Sequence, residues 1–431
     1  MEIRPILSTL SRHKTAAALI VLEIALTCAI LCNALFLVAQ RLETLNLPSG
    51  MDDAHLIMAR ATGIGEQVDA DARSREDLAA LRAIAGVTDA VIVNQVPFRN
   101  GSWNTSLGTS PDQEVPTLNA AQYMVSEGTL KAMGLKLVAG RDFQPEEFKN
   151  VTDLEKVEDP ATLTSSVILS ATAARKLFPD GDAVGKTIYM ANIPLTVVGV
   201  VETLVRPALM DGDRQNSLIF PTRLNFSNGG FYLVRVADPA RRAEILKAVD
   251  ATLEKVDPNR LIRPAITFEE NRRNYFADDR DMIGLLLIVC GLLLLVTALG
   301  IVGLASFWVQ QRAKQIGIRR ALGATRGQIL RYFQTENFLL ATVGIVLGMV
   351  MAFGINQMLI SKYELPRLPL YYLPVGAVAL RLERAQNLLA QTEMSVIEIA
   401  LACGFASTAH FSKCYRAQYG ETPYRKRGGR D

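Results

Sequence analysis

The stretch MIGLLLIVCGLLLLVTALGIVGLASFWVQQRAKQIGIRRALGATRGQIL, Met282–Leu330, changes character part-way along. As far as Val309 it is almost wholly apolar, and longer than the roughly 20 residues that carry a helix across a bilayer. Trp308 falls where an interfacial aromatic belongs. Beyond it come Arg312, Lys314, Arg319, Arg320, Arg326 and Arg331, a segment too basic to enter hydrocarbon. A membrane helix that runs into a basic loop is therefore the organising feature of the chain.

Two further runs have the same apolar quality. Ala16–Ala39 follows Arg4, Arg12 and Lys14, and reads as an uncleaved anchor: it is longer than a signal core and no small-x-small cleavage site follows. Asn337–Ile360 is the third run. Within it Gly344 and Gly348 make a G-x-x-x-G step, which reads either as a close helix approach or as ordinary glycine use in a membrane helix. Glu23 lies inside the first run, as a functional carboxylate or as one that faces the bundle or reaches the headgroups. Lys and Arg near the ends of the runs put the N-terminus and the 310–334 loop in the cytoplasm. Residues 40–281 then lie on the far side, in the periplasm of a Gram-negative cell.

That middle region mixes helix and strand patterns. SREDLAALRAIAG (Ser74–Gly86) predicts a helix capped by Ser74, and VTDAVIVNQVPF a strand. SATAARKLFPDG (Ser170–Gly181) predicts a short capped helix, and KTIYMANIPLTVVGVVET a hairpin. FYLVRVA (Phe231–Ala237) predicts an alternating strand, and PARRAEILKAVDATLEKVDP an amphipathic helix. GDAVGKT (Gly181–Thr187) is a near miss for a phosphate-binding loop: it has one residue too few before its Gly-Lys pair and leads into a strand pattern rather than a helix. A turn is enough to explain Gly185. No Ser/His/Asp set or carboxylate pair stands out. The histidines, His13, His55 and His410, and the five cysteines, Cys28, Cys32, Cys290, Cys403 and Cys414, have no metal-ligand spacing. The expected catalytic and metal sites are therefore none. The formal charge of +3 suggests no polyanion partner, and the positive mean hydropathy of +0.19 fits soluble segments joined to membrane segments.

The basic segment carries Ile316, Ile318, Ala321 and Leu322 as an apolar stripe, with Arg319 and Arg320 on another side and Gly323 ending the helical pattern. By itself this fits a helix resting on anionic lipid or one docking a cytoplasmic partner. QIGIRRALGATRGQIL (Gln315–Leu330) strongly resembles the loop of FtsX/MacB-type ABC transporter permeases. SEGTLKAMGLKLVAGRDF (Ser126–Phe143), SATAARKLFPDGDAVGKTI (Ser170–Ile188) and LTVVGVVET (Leu195–Thr203) resemble that family's periplasmic core domain. The resemblance implies that Ile316, Gly317, Ile318, Arg319, Arg320, Ala321, Leu322 and Gly323 dock a cytoplasmic ABC ATPase subunit. It also implies a permease homodimer or paired permease, a possible periplasmic adaptor, contact with membrane lipid, and no cofactor on this chain. ATP and Mg belong to the ATPase, since the chain carries no Walker motif.

The family has a fourth membrane helix. Here the apolar stretch Leu368–Leu380 holds Pro369 and Pro374 and, at about 13 residues, reaches only about 20 Å against a hydrocarbon core of about 30 Å. RLERAQNLLAQTEMSVIEIALACGFASTAHFSKCYRAQYGETPYRKR then resembles the C-terminal half of an AraC/XylS-type DNA-binding domain. The resemblance makes Ser407, Thr408, His410 and Lys413 the residues nearest the bases, but half of the reader is missing, so DNA is an unlikely partner. The junction at Leu380–Arg381 reads as a fusion of fragments of two genes, with the tail in the periplasm.

The expectation is an α+β membrane protein of the bacterial inner membrane: three transmembrane helices plus a truncated fourth, a large α+β periplasmic core domain and a small all-α helix-turn-helix-like tail. Its segments are 1–39 (N-terminus and first helix), 40–281 (core domain), 282–309 (second helix), 310–334 (coupling loop), 335–360 (third helix), 361–380 (truncated helix) and 381–431 (tail). The expected role is the permease subunit of an ABC transporter. The alternative is a membrane-anchored AraC-like transcription regulator.

Overall fold

The computed structural model describes residues 14–64, 69–111, 113–157, 165–209, 213–228, 230–311, 313–323 and 325–363, and beyond them 382, 385, 386, 389, 396–403, 405, 407–419 and 422–424. Two compact units form: residues 46–278, and the segments on either side of them.

The first unit is a mixed α+β domain. Its strands are β1 (Leu56–Gly63), β2 (Val87–Val93), β3 (Asn104–Leu107), β4 (Leu118–Val125), β5 (Leu137–Gly140), β6 (Lys149–Asn150), β7 (Ser165–Ser170), β8 (Thr187–Met190), β9 (Ile193–Val201), β10 (Ser217–Arg223), β11 (Phe231–Val236) and β12 (Arg260–Thr267). The sheet runs β12-β1-β11-β2-β4-β10-β7-β9-β5. β2 and β4 meet at one registered pair, Val93↔Val125, so the sheet has two lobes. Side-chain amides take over the ladder there. Asn94 donates to Gln122 O and accepts from Met124 N–H, each at 2.9 Å, and Gln95 donates to the same Gln122 O.

Each lobe has its own core. In the first, helices Ala70–Arg82 (α2; the N-terminal Lys14–Leu45 is α1) and Arg242–Val256 (α4) cover β1, β2 and β11. The predicted amphipathic helix buries Ile245, Val249 and Leu253, spaced four apart on one face. In the second lobe helix Ala171–Leu177 (α3) packs Ala173, Ala174 and Leu177 against Val167, Leu169 and Val197. Ser170 caps it as predicted, accepting from Ala173 N–H at 3.3 Å. The predicted hairpin closes at Met190↔Ile193 between β8 and β9. Gly185 has φ +82°, a conformation that favours glycine, and its segment leads into β8.

Two local expectations are corrected. Ser74 does not cap a helix: α2 starts one turn earlier, at Ala70, and Ser74 is buried inside it, accepting from Phe226 N–H at 2.9 Å. β11 does not alternate. Tyr232, Val234 and Val236 face the core under α2 and α4, and the Thr129–Met133 helix lies against the opposite face, where Arg235 donates to Ala132 O, so nearly every residue is buried.

The second unit holds α1, helix Ala277–Gln311 (α6; Phe268–Tyr275 is α5), helix Ala313–Ala321 (α7) and helix Arg326–Tyr363 (α8). Among the described residues three helices are long and apolar enough to cross a membrane: Ala17–Leu45, Ala277–Gly303 and Thr335–Met358. They continue past the apolar runs. α1 extends to Leu45 and carries Arg41, which pairs with Asp279 at the start of α6. α8 begins at Arg326, inside the segment read as loop: no proline interrupts Arg326–Thr335, and its weakest helix former, Gly327, falls in the first turn. Of the segment 361–380, read as a turn and truncated helix, residues 361–363 continue α8 and 364–380 lie outside the described residues.

Candidate functional site

Three features of the second unit bear on function. The first is the seam between α1 and α8. A Cβ at Gly344 would sit 2.9 Å from Ile24 Cβ, and one at Gly348 2.6 Å from Ala25 O and 2.7 Å from Cys28 Cβ. With Ala352, packed against Cys28, Ala29 and Cys32, small residues recur every fourth position along the contact. Asn33 donates to Ala352 O at 3.2 Å and to its own-turn Ala29 O at 3.0 Å. On its other side α1 meets α6. Thr27 and Thr297 hydroxyls lie 2.8 Å apart, Leu31 and Ala34 pack on Cys290, and the Glu23 carboxylate fills the space over Gly300. Glu23 therefore turns into the bundle. α1 is the inner helix, while α6 exposes Leu285, Leu292, Leu295, Leu299 and Val302.

The second feature is α7, which follows α6 directly. Leu322 N–H still donates to Ile318 O at 3.0 Å, and Gly323, at φ +92°, ends the turn in the left-handed conformation usual just past a helix. Ile318 is 61% exposed and Leu322 82%, Gly317, Ala321 and Gly323 are exposed, and Ile316 is half-buried. These apolar side chains gain nothing from water and are free to be covered. The side chains of Arg319 and Arg320 lie outside the described residues.

The third is the tail. Helices Val396–Ala402 (α9) and Thr408–Tyr419 (α10) share a core in which Leu382, Ala385, Leu389, Ile399, Phe405, Phe411 and Tyr415 are buried. Ser407 Oγ accepts from His410 N–H at 3.2 Å, which caps α10. Ser407, His410 and Lys413 are exposed and Thr408 is half-buried. Ile397 is 55% exposed, because Val396, Ile399 and Ala400 form the inner face of α9. Among the described residues no group of three or more His, Cys, Asp or Glu side chains stands ready to hold a metal.

Comparison with known proteins gives matches to three family profiles. The profile described as MacB-like periplasmic core domain matches residues 15–252, and that of the FtsX-like permease C-terminal domain residues 287–381. A helix-turn-helix domain profile matches residues 377–428, so the last two matches meet at the proposed junction. The chain is 27% identical over 271 residues to the macrolide export ATP-binding/permease protein MacB of Chromobacterium violaceum, covering 61% of this chain and 39% of that protein. It is 28% identical over 238 residues to the uncharacterized ABC transporter permease YvrN of Bacillus subtilis, covering 51% of this chain and 57% of that one. The chain thus spans about two-fifths of the first relative and just over half of the second. The crystal structure of the periplasmic region of MacB from Actinobacillus actinomycetemcomitans aligns over 55% of this chain and 97% of its own length, at 17% identity and a TM-score of 0.33. Apolar helices of spanning length beside a domain of periplasmic type describe an inner-membrane permease component. Since its profile takes in more than half of the residues, the chain belongs to the family that carries the MacB-like periplasmic core domain.

Proposed function

We propose that this chain is the permease subunit of an ABC transporter of the FtsX/MacB type, altered at its C-terminus by a fusion. Its work is to couple ATP hydrolysis on a separate cytoplasmic ATPase subunit, which holds the ATP and Mg, to export or to force on a periplasmic partner. The carrying observation is the exposed apolar stripe of α7, set between two helices of membrane-spanning length. In this reading residues 310–334 are the cytoplasmic coupling loop, Gly344 and Gly348 hold the third helix to the first, and 40–281 face the periplasm. The permease acts as a pair, and a periplasmic adaptor is a candidate further partner. The C. violaceum relative carries ATP-binding and permease functions under one name; placing the ATPase on a second chain here is part of the proposal.

Ile318→Asp tests the docking. Truncating an interface anchor commonly costs about 2 kcal/mol or more, roughly thirtyfold in affinity. The ATPase should be lost on co-purification while the amount of this chain in the membrane stays unchanged. Recovery of the ATPase at wild-type yield would show that α7 does not dock it.

The helix-turn-helix match and the folded core of α9 and α10 keep a second reading, a membrane-anchored regulator, in view. Three spans leave the C-terminus in the periplasm, away from DNA. A fourth would carry Arg381, Glu383 and Arg384 into the bilayer at about 2.5–3.5 kcal/mol for each charge near the centre. A reporter active only in the periplasm, fused after Asp431, should therefore be active, and one active only in the cytoplasm silent. The reverse pattern would favour the regulator.

A further inference from the structure

Three arginines of the sheet domain converge without a counter-charge. Arg60 of β1 and Arg263 of β12 are direct cross-strand partners in an antiparallel pair. Like charges in that position repel. The register slips beside them, between Met58 and Arg60, opposite Pro264 and Ala265, and irregularities of this kind re-aim side chains. Arg99 reaches the same place from the segment after β2, anchored by its N–H to Pro207 O at 3.0 Å. Arg60 and Arg99 lie over the ring of Phe231, with guanidinium carbons 5.2 and 5.0 Å from its centroid. Together with Met58, Arg263 and Pro264 they line a cavity of about 180 Å³.

Arg263 is exposed and Arg60 and Arg99 are half-buried, and the surroundings give none of the three a counter-charge. Among the described residues no carboxylate pairs with Arg60, Arg99 or Arg263, although nine other arginines of the domain have one. Arg60 Nε is out of water and has no hydrogen-bond partner. Such an atom costs free energy unless something fills the site. The phenyl ring attracts the cations but accepts none of their N–H donors in the way an oxygen does. Burial, with the charges of Arg60 and Arg263 added, lowers the pKa of Arg99, as expected of a cation held among cations.

We propose that Arg60, Arg99 and Arg263 form a binding site for a phosphate-class oxyanion in the sheet domain. Three guanidiniums suit a group that bears more than one negative charge and several acceptor oxygens better than a single carboxylate. Two sources share this chemistry: free phosphate or a phosphate ester in solution, and a phospholipid headgroup.

The test uses the full chain in a phosphate-free detergent. Thermal unfolding of the sheet domain is followed as inorganic phosphate replaces chloride at constant ionic strength. The midpoint should rise by about 3 °C once phosphate exceeds its dissociation constant roughly tenfold. Arg99→Gln and Arg263→Gln should each abolish the rise, and Arg75→Gln, an exposed position on α2, should keep it. Arg263→Glu supplies the missing counter-charge and should raise the midpoint without phosphate. If Arg263→Gln still responds, or chloride serves as well as phosphate, there is no such site. Acetate matching phosphate would overturn the phosphate class. In phospholipid vesicles a headgroup occupant would already fill the site and erase the response to added phosphate, whereas a soluble occupant would leave it intact.

Discussion

Replacing Asp77 by asparagine is expected to destabilise the sheet domain by about 3–5 kcal/mol. Asp77 lies on the inner face of α2, and its carboxylate ties that helix to two strands. Arg260, at the start of β12, donates Nη1 to Oδ2 at 2.6 Å and Nη2 to Oδ1 at 2.8 Å, while the Tyr232 hydroxyl of β11 donates to Oδ2. Both charged side chains are fully buried. Burial pushes the Tyr232 phenol pKa well up, and the neighbouring carboxylate adds to this, so the phenol keeps its proton and remains a donor. Asparagine preserves the shape but removes the bidentate charged partner, leaving a guanidinium that water cannot reach with only the longer contact to Asp257, 3.6 Å from Nε, and the Leu253 carbonyl; the ring of Phe226, 4.8 Å away, compensates little. For a domain of this size the loss corresponds to a fall of about 10 °C in the unfolding midpoint. The pair Asp77→Leu with Arg260→Met should recover most of it, because an apolar pair of similar volume needs no counter-charge. A loss below about 1 kcal/mol in Asp77→Asn would mean that the ion pair does not hold α2 to the sheet.

Gly348→Leu is expected to cost about 3 kcal/mol in the helix bundle, at the upper end for overpacking. The obstacle is Ala25 O, 2.6 Å from where the first added carbon must go, and a backbone carbonyl cannot swing away as a side chain can. α1 and α8 would have to separate, also breaking the Asn33 bond to Ala352 O. The readout is thermal stability and monodispersity of the detergent-solubilised chain. Gly354→Leu is the matched control, on the same helix but with nothing within 4 Å of its Cβ position. Equal behaviour of the two variants would remove Gly348 from the seam. A large loss confined to Gly348 would favour close packing over incidental glycine use.

Several features were legible from local pattern alone. The three apolar runs need only length and composition, since the bilayer sets one thickness for all of them. The β8–β9 hairpin, the Ser170 cap and the inner face of α4 follow from neighbours a few residues apart. The stripe of α7 was visible because its apolar residues interrupt a basic segment. Where local pattern misled, a distant partner was responsible. Ser74 looked like a cap until Phe226 supplied a backbone N–H to bury it against. Phe231–Val236 looked like a half-exposed strand until distant helices covered both its faces.

The order of the apolar runs, the basic segment and the mixed character of the middle region are readable directly in the sequence, because helix length and hydrophobic period are properties of contiguous residues. Which charges meet depends on the folded chain. Asp77 and Arg260 stand 183 positions apart, and Arg60 faces Arg263 only because β12 pairs with β1 in one register. A shift of β12 by one residue in that pairing would send Arg260 and Arg263 to the opposite face of the sheet, and no local pattern records it.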